Sequence, residues 1–107
     1  MAVAVESSAF AREVLESDLP VVVDFWAEWC PPCKMLSPVF DKTAQHFEGR
    51  VKFVKVNVDD SPEVAGSYGI STIPNLLFFK DGQVVGQSVG YVSEAQLTAK
   101  VDGVLGL

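Results

Sequence analysis

Apolar positions follow two rhythms along the chain, one of period two and one near 3.6, and they switch at turn-forming residues. Val3 to Val5 reads as a short strand, after which Ser7 or Ser8 is placed to cap a helix carrying Phe10, Val14 and Leu15 on one face. That helix is expected to end near Asp18, ahead of Pro20. Val21 to Ala27 is apolar on both alternating sets, as a central strand covered on both faces would be, and Asp24 is its only interruption. From Cys33 to Phe47, Leu36, Val39, Phe40, Ala44 and Phe47 recur at helical spacing. Pro38 predicts a kink within that run, and Gly49 a stop after it. Val51 to Val58 sets Val54, Val56 and Val58 against Phe53, Lys55 and Asn57, the pattern of a third strand. Strand, helix and strand in succession imply a right-handed parallel crossover.

Ser61 and Pro62 form an N-cap and first-turn pair for a short helix ending near Gly66 or Tyr68. Asn75 to Phe79 and Gln83 to Val89 flank an Asp81-Gly82 pair, a strong hairpin signal. Ser93 and Gln96 make a capping box for a last helix whose apolar face is Leu97, Val101, Val104 and Leu105. The expected class is α/β, a mixed five-stranded sheet flanked by four helices.

With 107 residues there is room for one domain, expected to span 1–107, and a 49% hydrophobic content is enough to give it a core. The formal net charge of −6 would repel a phosphate backbone, which argues against nucleic acid as a partner. The acidity reads as a solubility feature. No apolar run approaches the roughly 20 residues that cross a bilayer, so no membrane association is expected. Met1 to Ser8 lacks a basic stretch followed by an apolar one, and the expected location is cytoplasmic.

Both cysteines of the chain lie in Trp29-Cys30-Pro31-Pro32-Cys33, between a strand end and a helix start. A structural staple closing so short a loop would contribute only about 2 kcal/mol. A zinc site would need two more ligands, and the one histidine, His46, lies more than three turns beyond Cys33. An iron-sulfur cluster shared by two chains is a further reading. A redox dithiol has a mechanism that comes from its placement. Unpaired N–H groups and the positive end of the helix dipole favour thiolate at Cys30, while a deeper Cys33 would stay protonated until needed as the resolving thiol.

The run Asp24, Phe25, Trp26, Ala27, Glu28, Trp29, Cys30, then Pro32, Cys33, Lys34 and Pro38, resembles the thioredoxin family in order and spacing. Lys55 to Asp59, Ile73-Pro74, Phe79 to Gly82 and Val89-Gly90 also fall where that family has them, so the resemblance covers nearly the whole length. It implies a thioredoxin fold, reversible dithiol-disulfide cycling, and protein disulfides as substrates. It also implies a cis-proline at Pro74 that presents the backbone of Ile73 to a peptide. Trp29, Ile73, Val89 and Gly90 would then form an apolar collar around Cys30. Asp24 would take the proton of Cys33. The plainer reading of Asp24 is an ion pair with Lys55, whose strand should be a neighbour; Lys55 could also tune the proton role without cancelling it.

The family usually has Gly and Pro between its cysteines, whereas this chain has Pro31 and Pro32. Pro31 removes one N–H that could have faced the Cys30 sulfur, leaving those of Cys33 and Lys34 as donors. Thr72, Asn75 and Tyr91 also differ from common choices near the collar. These departures bear on partner choice and redox poise, not on reaction type. Phe10, Phe40, Phe47, Phe53, Phe78 and Phe79 read as core, and Glu28 and His46 as solvated surface.

No glycine-rich phosphate loop, Ser-His-Asp set or dinucleotide fingerprint is present in the sequence, so no bound cofactor is expected and electrons should come from an external reductase. The reading is a monomeric protein-disulfide reductase. Its alternatives are a binding or clamp subunit with incidental cysteines, and a more oxidising isomerase or oxidase.

Overall fold

The computed structural model describes residues 2–107. Strands β1 (Val3–Ala4), β2 (Val21–Trp26), β3 (Lys52–Asn57), β4 (Asn75–Lys80) and β5 (Gln83–Val89) form one sheet in the order β1-β3-β2-β4-β5. β3 runs parallel to β1 and β2, while β4 is antiparallel to β2 and β5. Helices α1 (Ser7–Phe10), α2 (Pro31–His46), α3 (Pro62–Ser67) and α4 (Glu94–Leu105) accompany it. The mixed sheet with four helices is the architecture the hydrophobic pattern predicts.

Alternation along β2 explains its doubly apolar sequence. Val21, Val23 and Phe25 enter a core with Phe10, Val14 and Val64 from the α1 and α3 side. Val22 joins Leu36, Phe40, Leu97 and Val101 from α2 and α4 on the other face. Asp24, two residues beyond Val22, therefore lies on the α2 face, where a charge has no solvent. The hairpin turns through Asp81 (φ 52°) and Gly82 (φ 77°), the two positive φ values of a type I′ turn. At Gly82 a Cβ would stand 2.9 Å from the Leu15 carbonyl oxygen, so glycine is required for packing as well as for turning. The α4 capping box forms: Gln96 N–H donates to Ser93 Oγ (3.2 Å) and Ser93 N–H to Gln96 Oε1 (2.9 Å).

Several local expectations need correction. Neither Ser7 nor Ser8 caps α1, because the N-cap position is Glu6 and its side chain makes no cap bond. Instead Ser7 N–H donates to Ser61 Oγ (3.0 Å), and Ser61 in turn makes no side-chain cap on α3. One hydroxyl thus satisfies a helix end 54 residues away in sequence. α1 continues as a π-type turn over Ala11–Leu15, with Glu16 N–H bonded to Ala11 O (2.9 Å), and ends there rather than near Asp18. The wider turn rotates Leu15 to the surface while Phe10 and Val14 stay buried. α2 starts at Pro31, ahead of the apolar repeat that begins at Cys33, since prolines suit the first helical positions where an N–H is unpaired anyway, and the helix N-terminus falls at Cys30 as expected. It runs through Pro38 without ending.

Candidate active site

β2 ends at Trp26, and a turn closed by Cys30 N–H to Ala27 O (3.3 Å) delivers the chain to α2. Cys30 is the N-cap of α2, with extended backbone, and its Sγ accepts the Cys33 N–H at 3.3 Å. The two cysteines are joined in a disulfide with their Cα atoms 5.2 Å apart, and none of the chain's cysteines is free. Both are buried, Cys33 (1%) more completely than Cys30 (4%). Pro31 and Pro32 are exposed and carry no N–H, so Cys33 supplies the backbone donor at the sulfur. Lys34 N–H, expected as a second donor there, bonds the Cys30 carbonyl at 3.2 Å instead, because the helix ladder claims it.

The Ile73 carbonyl oxygen lies 3.8 Å from Cys30 Sγ, and Ile73 packs on the cluster of Ala27, Cys30 and Cys33. The Ile73-Pro74 peptide bond is cis. Gly90, at φ +90°, donates its N–H to the Pro74 carbonyl (2.7 Å), which fastens the end of β5 to this loop. Val89 is exposed and pairs with Asn75, the residue after Pro74. Trp29 is 67% exposed, yet its indole N–H donates to Asp59 Oδ2 at 2.8 Å. Asn57 Oδ1 in turn accepts the N–H groups of Asp59 and Asp60 (2.8 and 3.3 Å), which fixes the loop that holds Trp29. Trp29, Val89 and Tyr91 are thus exposed apolar side chains, Trp29 tied to the loop after β3 and Val89 to the strand that follows Pro74.

A cavity of about 360 Å³ lies on the α2 face of the sheet, and Asp24, Cys33, Lys34, Ser37 and Lys55 line it. Asp24 is 1% exposed and its Oδ1 has no hydrogen-bond partner among the described residues. Burial pushes its carboxyl from 3.8 up to about 7; the nearby Lys55 charge lowers it and the Asp41 charge raises it, each less than burial does. Asp24 and Lys55 are paired in the β2–β3 register, as expected of neighbours. The ion pair read from that adjacency is not found: Lys55 Nζ donates to Ser37 Oγ (2.8 Å) and pairs with Asp41 Oδ1 (3.3 Å). α2 crosses over β3, and its Ser37 and Asp41 reach the ammonium first. Neither was singled out from sequence, although Cys33, Ser37 and Asp41 stand at intervals of four, one stripe of a helix. Glu28 and His46 are exposed, as expected, and the six phenylalanines named as core are buried.

A CxxC pair spanning a strand-to-helix turn in a mixed sheet, facing a proline loop and backed by a buried carboxyl, defines a dithiol-disulfide exchange protein. The thioredoxin family model matches residues 1–103. The chain is 52% identical over 98 residues to Thioredoxin 1 of Nostoc sp., covering 92% of each. It is 52% identical over 102 residues to Thioredoxin 1 of Synechococcus elongatus, covering 95% of each. Against the thioredoxin of Pseudomonas aeruginosa it is 45% identical over 98 residues, 92% of this chain and 91% of that one. The chain belongs to the thioredoxin family and is a thiol-disulfide oxidoreductase that reduces protein disulfides. Members of that family act without a bound cofactor, on disulfide substrates and with a reductase partner. Among the described residues no group of three or more His, Cys, Asp or Glu could hold a metal ion, and no helix is long and apolar enough to cross a membrane.

Proposed function

We propose that Cys30 is the attacking thiol, Cys33 the resolving thiol and Asp24 the group that takes the Cys33 proton. The Cys30 thiolate attacks one sulfur of a substrate disulfide, and the substrate's other sulfur leaves as a thiolate. Cys33 then gives its proton to Asp24 and attacks Cys30 Sγ, expelling the second substrate sulfur. The substrate gains two electrons, one of its thiolates takes a proton from solvent and the other the proton that Asp24 releases, and the Cys30–Cys33 disulfide is left. An external reductase, rather than a bound nicotinamide or flavin, returns it to the dithiol. The chain works as one domain over residues 1–107, as a monomer in the cytoplasm.

The observation that carries this assignment is a buried Asp24 carboxyl, pushed up to about 7, whose Oδ1 has no hydrogen-bond partner among the described residues and which lines the same cavity as Cys33. A base is most useful when its pKa lies close to the working pH. Trp29, Ile73, Pro74, Val89 and Gly90 form the docking rim, with the Ile73 carbonyl beside the reacting sulfur supporting that role. Pro31 and Pro32 modulate the poise of the pair by limiting backbone donors at Cys30, and Lys55 modulates Asp24. Insulin reduction with dithiothreitol tests the order of the thiols. Cys30→Ser is expected to lose activity and form no mixed disulfide, whereas Cys33→Ser accumulates one, visible by mass spectrometry. Equal turnover by wild type and Cys30→Ser overturns the assignment.

A further inference from the structure

Lys55 is the cation placed to neutralise Asp24, and it does not do so. Its strand position is in register with Asp24 and both border the same cavity. Its ammonium is instead held at 2.8 Å by Ser37 Oγ and at 3.3 Å by Asp41 Oδ1, both on α2. Asp24 Oδ1 stays buried with no hydrogen-bond partner among the described residues, an arrangement that ordinarily draws in any mobile cation within reach.

We propose that Ser37 is a positioning residue for the second step of the reaction, a tether that works with Asp41 to keep the Lys55 ammonium off Asp24. This rests on the proton role proposed above for Asp24. A lysine stem has four rotatable carbons, so an untethered ammonium can swing across a cavity of about 360 Å³ toward the unpartnered oxygen. A contact ion pair would favour the carboxylate, making Asp24 a weaker base toward the Cys33 thiol. The tether keeps Lys55 as a distant charge that moderates burial without closing the pair.

The other charged groups around the cavity are Lys34 from α2 and Glu28 from the turn after β2, both exposed. Lys55 also borders a second cavity of about 170 Å³ lined by Glu6, Glu28 and Asp60. None of these is recorded in hydrogen-bond or ion-pair contact with Lys55 among the described residues, where its side-chain partners are Ser37 and Asp41. Of those two, Ser37 supplies the shorter bond and the neutral one, so its removal changes the position of the ammonium without changing the charge count.

The test follows the Asp24 carboxyl carbon by NMR across pH in the oxidised protein, with the pH profile of mixed-disulfide resolution alongside. Ser37→Ala is expected to move the Asp24 midpoint down by about 1 pH unit, and the resolution profile with it. Ser37→Thr, which keeps the hydroxyl, should hold the wild-type midpoint. In a Lys55→Met background, adding Ser37→Ala should change nothing. An unchanged or raised midpoint in Ser37→Ala, or the same drop without Lys55, overturns the tether. The proton role fails on a different result, wild-type resolution by Asp24→Asn, and the carboxyl titration of the resting protein tests the tether whichever way that falls.

Discussion

Strand β3 carries two lysines, Lys52 and Lys55, and their odd spacing sends them to opposite faces of the sheet, each toward a carboxylate. On the α1 face Lys52 Nζ donates to Glu13 Oε1 (2.6 Å) and to the Glu13 carbonyl (2.9 Å). That direct bond, with a smaller one from Arg12, holds the Glu13 carboxyl below its usual range. On the α2 face Lys55 is turned to Ser37 and Asp41, and Asp24 is pushed up to about 7 by burial. The same residue types on the same strand thus give a paired, part-exposed carboxylate at one end and an unpaired, buried one at the other. Pairing binds two elements together, whereas burial without a partner holds a carboxyl ready to change its proton at neutral pH.

The largest effects should come from Asp24→Asn. If Asp24 takes the Cys33 proton, resolution of a mixed disulfide at pH 7 should slow by roughly 100-fold or more while the first attack is largely spared. Stopped-flow kinetics of the two steps would separate them. Stability should move the other way. A folded pKa raised from 3.8 to about 7 means that the stability present below 3.8 is lost as pH rises through 7. Wild type therefore forfeits up to about 4 kcal/mol by pH 8, and Asp24→Asn does not. Urea unfolding of the oxidised proteins should find the mutant more stable at pH 8 and the advantage shrinking toward pH 4. A mutant less stable at pH 8 would break the comparison.

A smaller change is expected on removing the distant cation. Lys55→Met takes away the charge that lowers the Asp24 pKa, so the carboxyl midpoint should climb above about 7, by about 1 pH unit at most. Urea stability above pH 7 should fall slightly for the same reason, with little change at pH 4. A midpoint that drops would mean that Lys55 acts on Asp24 through packing, not charge.

Much of this was legible in the residues, and the rest was hidden for identifiable reasons. Val21 to Ala27 reads as a doubly covered strand, one residue longer than β2, because each face meets its own core, and Asp24 stands out as the one charge in that run. The cysteine turn is legible because strand end, two prolines and helix start are local features. Adjacency of β2 and β3 follows from the crossover rule, so Asp24 and Lys55 could be placed side by side. Where the lysine points could not, since that depends on the rotation of α2 above the sheet, set by packing of Leu36, Phe40 and Ala44. The Ser61 hydroxyl serves α1 instead of α3 by a contact across 54 positions, which no window along the chain contains. Nor does local pattern foretell the π-type turn at Ala11–Leu15, which carries the Glu13 backbone carbonyl and carboxylate that both meet Lys52.

The smallest effect should belong to Glu13→Gln, and its pH sense is the sharpest check on the contrast. Glu13 has a lowered folded pKa, so its contribution is present above the unfolded value of 4.5 and is lost as pH falls through the folded one. The mutant should be slightly less stable than wild type at pH 7 and equal to it at low pH, the reverse of Asp24→Asn, whose gain appears as pH rises. The Glu13 and Lys52 side chains are each about a third exposed (32% and 29%), so solvent and salt screen the pair and the loss should shrink further in high salt. Disulfide exchange should be untouched, because Lys52 and Glu13 lie on the face away from α2. Urea titrations of Glu13→Gln from pH 7 into acid, in low and high salt, measure the stability, and insulin reduction measures the exchange. No loss at pH 7 in low salt would mean that the Lys52 bond to the Glu13 backbone carbonyl, which Glu13→Gln keeps, holds the π-type turn to β3 without the ion pair.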